Sequence, residues 1–408
     1  MRTRLFAMAL RGASLVAKLI VFIVLARFFG SEDVGRFGLI SATVAYGTFI
    51  AGMEFYNYAL REVAGSNGAW QSHAIVNYIF FVLFIQIILV AFVLLLWQLG
   101  YLSFEFMLIT LAVTVMEQWA QEGYRALIAL RKPIFASVTL FLRLGAWVFF
   151  VIIGLIWWPE MRTLDFVLYA WLAGVSAATL VAGVVIFRLT GLPELSSLDV
   201  RWIIKGLPVA IVFIGAAFGL TTINFLDRVL QAQLGDFEAL AAYVLFFGVS
   251  VSLIAALDAG VFSFAFPNVV AAGREGTKPV LVREVGKVLR PTLIASALFL
   301  GAGVMFFEFG LELLGIGSYT AFGTIYYTLF VSIVLQAWSM VPHLGLYALR
   351  KDRTIMVGNI LALAMFLMFA FLLRGQHEAA VPLARAGAFF FLFAWKGLIF
   401  ARLVRNKA

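Results

Sequence analysis

In a chain of 408 residues, 64% hydrophobic and 12% charged, the charges that interrupt apolar runs are the groups with chemistry to offer. They are Lys18, Arg27, Glu54, Glu117, Glu122, Arg143, Asp227, Asp258 and Lys396, with Arg125 one turn past Glu122 and Arg228 directly after Asp227. An ionised side chain at the centre of a bilayer costs at least ~2.5 kcal/mol on insertion scales, so such residues face protein or water. Arginine and lysine there are candidate phosphate contacts, arginine through its planar fork of donors. Carboxylates there are candidate sites for H+ or Na+. The chain has no cysteine, and His73, His343 and His377 are its only histidines. Disulfides, thiolate nucleophiles and Cys/His metal sites are thereby excluded, and no cofactor or metal is implied.

Spacing sorts these charges. Arg143 lies ~15 Å and Glu122 ~12 Å from the same end of adjacent helical segments, counted at the helical rise, so a pair between them is sterically reasonable. Glu122 and Arg125 also sit one turn apart on one helix and form a candidate structural ion pair, which is the cheaper partnership for both. Left partly free, Arg143 is a phosphate contact; neutralised, it is structural. Lys18 and Arg27 project from different sides of one segment, as substrate contacts or as side chains that snorkel to the interface. Asp227 and Arg228 point about 100° apart in a helix and are not an ideal pair. Arg143, Lys18, Arg27, Arg228 and Lys396 are the candidate substrate-binding residues. Asp227, Glu54 and Asp258 are the candidate ion-coupling residues, with helix packing through polar contacts as the alternative role for the last two.

Positioning them requires membrane-spanning helices. Apolar stretches of about 20 residues, long enough to cross ~30 Å of hydrocarbon, recur along the whole chain. Twelve spans are expected, near 9–29, 37–61, 74–98, 103–128, 133–157, 165–188, 206–231, 239–268, 291–311, 321–349, 354–373 and 384–402. The first has the basic start of a secretory signal, but its apolar run continues too far, so a retained span is expected. Pro133 and Pro291 are each expected in the first turn of a helix. The stretch REGTKPVLVREVGKVLR at 274–290 reads as an interfacial helix beside anionic headgroups, or as a connecting elbow. Lys and Arg collect in alternate loops, which places both termini in the cytoplasm. That loop-by-loop distribution, rather than one basic face, argues against nucleic acid as the partner of a chain with pI near 9.8.

The sequence also repeats itself. LIALRK at 127–132 closes the fourth span and LYALRK at 346–351 closes the tenth. Ala51-Gly52 and Ala64-Gly65 match Ala259-Gly260 and Ala272-Gly273 in the same order, and the turn at Gly30 matches that at Gly235. Two six-helix halves follow, 1–200 and 201–408, entering the membrane from the same side as parallel repeats around a central cavity. This is transporter architecture, not the layout expected of an enzyme: no extramembrane loop offers a nucleotide site, and no paired His/acid arrangement occurs.

The stretches LARFFGSEDVGRFGLI at 25–40, ALREVAG at 59–65, GYRALIALRKPIFASVTLFLRLGAW at 123–147 and FLDRVLQAQLG at 225–235 carry a resemblance. The chain resembles the multidrug/oligosaccharidyl-lipid/polysaccharide exporter superfamily and, within it, the Wzx-like polysaccharide flippases, over essentially all twelve spans. That resemblance implies a bacterial inner-membrane flippase for undecaprenyl-pyrophosphate-linked oligosaccharide, in O-antigen or exopolysaccharide synthesis. It further implies function for basic residues on the span of Arg143 and for an acid on span seven, where Asp227 matches. Membrane lipids, H+ or Na+, and polysaccharide polymerase or assembly proteins are the accompanying partners. A drug/cation antiporter of the same fold and a non-transporting subunit of a polysaccharide synthesis or secretion complex are the rival readings.

Overall fold

The computed structural model describes residues 2–65, 68–191 and 197–405, apart from the side chains of residues 2–5, Met8, Lys18 and Glu275. The described residues are helical and contain no strand. Helices α1 (Arg2–Phe28) and α2 (Ser31–Gly52) are followed after a break by α3 (Tyr56–Ala64), then α4 (Ala69–Gln98) and α5 (Phe104–Ala129). Next come α6 (Pro133–Phe141), joined through a π-helical turn, Leu142–Ala146, to α7 (Trp147–Trp157), and α8 (Leu164–Thr190). α9 (Val200–Leu234) leads to a second succession: α10 (Phe237–Ser250), α11 (Ser252–Leu257), a π turn Asp258–Phe262, α12 (Ser263–Glu275) and α13 (Lys278–Met305). A π turn Phe306–Gly310 joins α13 to α14 (Leu311–Leu313), and α15 (Gly323–Ala348), α16 (Asp352–Leu372) and α17 (Ala380–Arg405) complete the chain.

Among the described residues, eleven helical stretches are long and apolar enough to cross a membrane. The fourth expected span, α5, is the exception by composition, because Glu117, Gln118, Gln121, Glu122 and Arg125 crowd its second half. Two further expectations change. The second span is not continuous: Met53 and Glu54 take left-handed backbone conformations, φ 45° and 52°, between α2 and α3. Pro291 lies inside α13, not in its first turn; Pro279 holds that position and Pro133 does open α6. The amphipathic stretch is therefore the start of α13, continuous with the ninth span. Its Val285 and Val288 are buried, Leu289 is exposed, and Lys287 bonds Glu284 at 2.7 Å on the outer face.

Both copies of the repeated hexapeptide fold into one turn. Lys132 N–H donates to the Leu127 carbonyl at 2.8 Å and Arg131 N–H to Ile128 at 3.0 Å; Lys351 donates to Leu346 at 3.0 Å and Arg350 to Tyr347 at 2.9 Å. The reversing arginines have φ 58° and 55°. This is the Schellman arrangement, built here on arginine where glycine is usual.

The chain divides into two compact units, Met1–Val24 with Leu39–Ile214, and Leu25–Gly38 with Gly215–Ala408. Within the first, α5 is the hub, packed on α3, α4, α6 and α8. Within the second, α15 takes that place against α12, α13, α16 and α17. The hubs are the two helices that end in the repeated motif, so the sequence repeat is also a repeat of packing. Small residues bring backbones together, as helices packing in lipid require. A Cβ on Gly123 of α5 would lie 2.6 Å from Ala182 of α8, and one on Gly219 of α9 only 2.0 Å from the Asn359 carbonyl of α16.

Candidate functional site

Each unit holds one buried polar cluster against its hub. In the first unit the π turn after α6 carries Arg143 onto α5. Its Nε donates to Glu117 Oε1 at 2.7 Å and its Nη2 to Gln121 Oε1 at 2.7 Å. Glu117 and Gln121 are four residues apart and share a face, which the guanidinium fork spans. Glu122 is turned about 100° from Gln121 and faces α4, where Tyr78 donates to it; Gln118 Nε2 donates at 3.0 Å and Arg125 Nη1 at 2.8 Å. Arg125 in turn covers the Tyr56 ring at 3.7 Å. Two buried carboxylates thus meet two arginines. The expected partner of Arg143 was Glu122; helical phase selects Glu117 and Gln121 in its place.

In the second unit the proportions differ. Asp227 of α9 is fully buried and accepts Arg385 Nη1 of α17 at 2.8 Å on one oxygen and Arg228 Nη1 at 3.2 Å on the other. Arg228 also donates to the Asn224 carbonyl, and Arg385 Nη2 donates to Gln336 Oε1 of α15 at 3.0 Å. Both guanidiniums lie over the Phe247 ring, Arg228 at 4.1 Å and Arg385 at 4.9 Å, and Phe389 backs Arg385 at 4.8 Å. One carboxylate serves two arginines, and Arg385 Nε has no hydrogen-bond partner among the described residues. Adjacent residues in a helix were not an ideal pair for Asp227 and Arg228; the arginine nevertheless folds back to make the bond, and the shorter bond comes from α17.

Eleven residues beyond Arg385, a net rotation of about 20° at 100° per residue, Lys396 is fully buried on the same face of α17. Its Nζ has neither a hydrogen bond nor an ion pair among the described residues. His343 of α15, whose Nδ1 is likewise buried without a partner, lies within electrostatic reach. Ser332, Gln336, Ser339 and His343 line one face of α15 at helical spacing. The hub of this unit contributes neutral polar groups while its cations come from α9 and α17.

The remaining candidates are dispersed. Arg27 is exposed, with its guanidinium 5.9 Å from the Phe28 ring. The Lys18 side chain lies outside the described residues. Glu54 occupies the break after α2, where Asn57 Nδ2 donates to its carboxylate at 2.9 Å. Asp258 begins the π turn of the eighth span, exposed and without a basic partner among the described residues. Of the candidate substrate contacts, Arg143 belongs to the first unit and Arg27, Arg228 and Lys396 to the second. Sequence reasoning missed Arg385, left with the loop charges at the head of the last span, and gave Glu117 no partner. A signal for Arg385 was present in its spacing, because 385, 389, 392 and 396 share one helical face.

No family model matches this chain and no curated protein does. Solved structures do. An inward-facing multidrug resistance MATE family transporter of the MOP superfamily aligns at a TM-score of 0.73 over 97% of this chain and 96% of its own, with 14% sequence identity. A mutant of the Vibrio cholerae MATE transporter VcmN aligns at 0.54 over 99% and 98%, also with 14% identity. The chain has the MATE-like fold, an all-α polytopic membrane architecture of twelve transmembrane helices in two lobes.

Proposed function

We propose that this protein is a membrane transporter that moves a polyprenyl-pyrophosphate-linked oligosaccharide between leaflets by alternating access. The observation that carries the reading is the basic excess in the second unit's buried cluster: Arg228 and Arg385 share the single carboxylate of Asp227, and Lys396 has none among the described residues. A pyrophosphate cannot cross ~30 Å of hydrocarbon unaided, and buried cations that lack counter-charge are suited to replace its hydration. The lipid tail meanwhile stays in the bilayer. In this reading the cation-rich face of α17 supports the headgroup, and the balanced cluster of the first unit holds that unit rigid.

A second reading rests on the fold shared with a multidrug resistance transporter and on Asp258, an exposed carboxylate without a basic partner among the described residues, in a helical irregularity. Such a group suits cation-coupled drug export, because π-helical turns recur at functional sites. Reconstitution separates the two. Vesicles containing the protein and a fluorescent polyprenyl-pyrophosphate glycan should show transbilayer movement, slowed at least ~10-fold by Lys396→Met or Arg228→Met at unchanged protein yield, the scale of one lost hydrogen bond to a charged group. An immobile glycan lipid, together with gradient-driven uptake of a cationic dye that Asp258→Asn abolishes, would establish the antiporter in its place.

A further inference from the structure

Beside the first unit's buried cluster lies a second feature that the transport reading does not use. Between the start of α6 and the last turns of α8 runs a crevice of about 490 Å³. Phe135, Leu180, Val184 and Val185 form its shaft, and Lys132 and Arg188 stand at its mouth. Neither basic residue makes an ion pair among the described residues, although Arg125 and Arg143 nearby in sequence are both matched. Leu180 and Val184 are 67% and 48% exposed on the outward face of a membrane-spanning helix, so the shaft opens toward lipid.

The local backbone adds to the charge. Lys132 follows the left-handed residue Arg131 that ends α5 and precedes Pro133 in the first turn of α6. No side chain caps α6, leaving the N–H groups of Ile134 and Phe135 directed past Lys132 at the positive end of that helix. The crevice thus joins two unmatched cations and a helix N-terminus to an apolar channel, at the membrane edge where the basic loops collect. A soluble anion would use only the mouth; a molecule carrying an anionic head on an acyl chain would use both parts.

We propose that this crevice binds one anionic phospholipid from the leaflet bordering the basic loops, its phosphate held by Lys132 and Arg188 and one acyl chain laid along Leu180 and Val184. Basic pockets between transmembrane helices recognise headgroups in this way. The site is independent of the transported substrate and lies entirely within the first unit.

The test is native mass spectrometry of the full chain released from vesicles of equal phosphatidylglycerol and phosphatidylcholine. Wild type should retain one phosphatidylglycerol in preference to phosphatidylcholine. Lys132→Ala or Arg188→Ala should each lower that retention about 5-fold and the double variant about 30-fold, the yield of one surface basic residue each, while Lys132→Arg keeps it. Val184→Trp, at an exposed position, fills the shaft with both charges intact and should also displace the lipid, which keeps the test open if the double variant misfolds. Equal retention of the two lipids by wild type, or phosphatidylglycerol retention unchanged in the double variant and in Val184→Trp, would overturn the proposal.

Discussion

The two hub helices, α5 and α15, hold equivalent places in their units and end in the same turn, yet they carry opposite electrostatic designs. α5 bears its own carboxylates and meets each with an arginine: Glu117 with Arg143, Glu122 with Arg125. α15 bears no charge along its buried face and faces cations supplied by α9 and α17, of which Asp227 matches only part. A buried pair with its hydrogen bonds satisfied is a rigid object, whereas a buried cation without a counter-charge is costly unless something else supplies one. One architecture, duplicated, thus has a balanced buried cluster in one unit and, among the described residues, a buried cluster with more basic than acidic groups in the other.

The sharpest way to break that contrast is to remove its pivot. Asp227→Ala strips two buried guanidiniums of their carboxylate and should cost about 3–5 kcal/mol in detergent unfolding experiments, the range for breaking a buried ion pair. If the loss is under about 1 kcal/mol, the second cluster is not held by that carboxylate. In the first unit Glu117→Ala should cost about 3 kcal/mol, since Gln121 still holds part of the Arg143 fork, and the double change Glu117→Leu with Arg143→Met should restore stability to within about 1 kcal/mol. A double-mutant cycle that shows simple additivity would mean the pair is not coupled.

Lys396→Met separates cost from use. Replacing an unmatched buried lysine by an isosteric apolar chain should leave stability unchanged or raise it by about 1 kcal/mol, while transport falls as predicted above. A destabilised variant would reveal a counter-charge for Lys396. The smallest effect tests what the halves share: Arg131→Gly and Arg350→Gly relieve the same left-handed residue at the same turn and should each stabilise by up to about 1 kcal/mol. Unequal responses in the two variants would show that the matching geometry hides different strain.

Much of this was readable in the residues. Apolar runs long enough to cross a bilayer marked twelve spans close to the observed helices, because in lipid the backbone must satisfy itself and helix is the local solution. The LxALRK copies read as closing the fourth and tenth spans; that they also build the same turn is a finding of the structure. Irregularities were less legible: the break at Met53 and Glu54 and the π turns at Arg143 and Asp258 leave little trace in hydropathy, since they change one or two dihedrals without changing composition. Pro291 misled for the same reason, as a proline can be absorbed inside a long membrane helix whose freed carbonyl finds another donor.

From composition and order alone the chain determined that it is a membrane-spanning helical protein, that it repeats, and which rare charges lie within its spans, because the cost of charge in hydrocarbon makes each one conspicuous. The tertiary structure decided how those charges are satisfied. Depth along a helix can be counted from the sequence, but partnership also depends on the rotation of each helix about its axis and on which neighbour packs there. Those two quantities placed Glu117 rather than Glu122 on Arg143, drew Arg385 onto Asp227, and left Lys396 without an acid among the described residues.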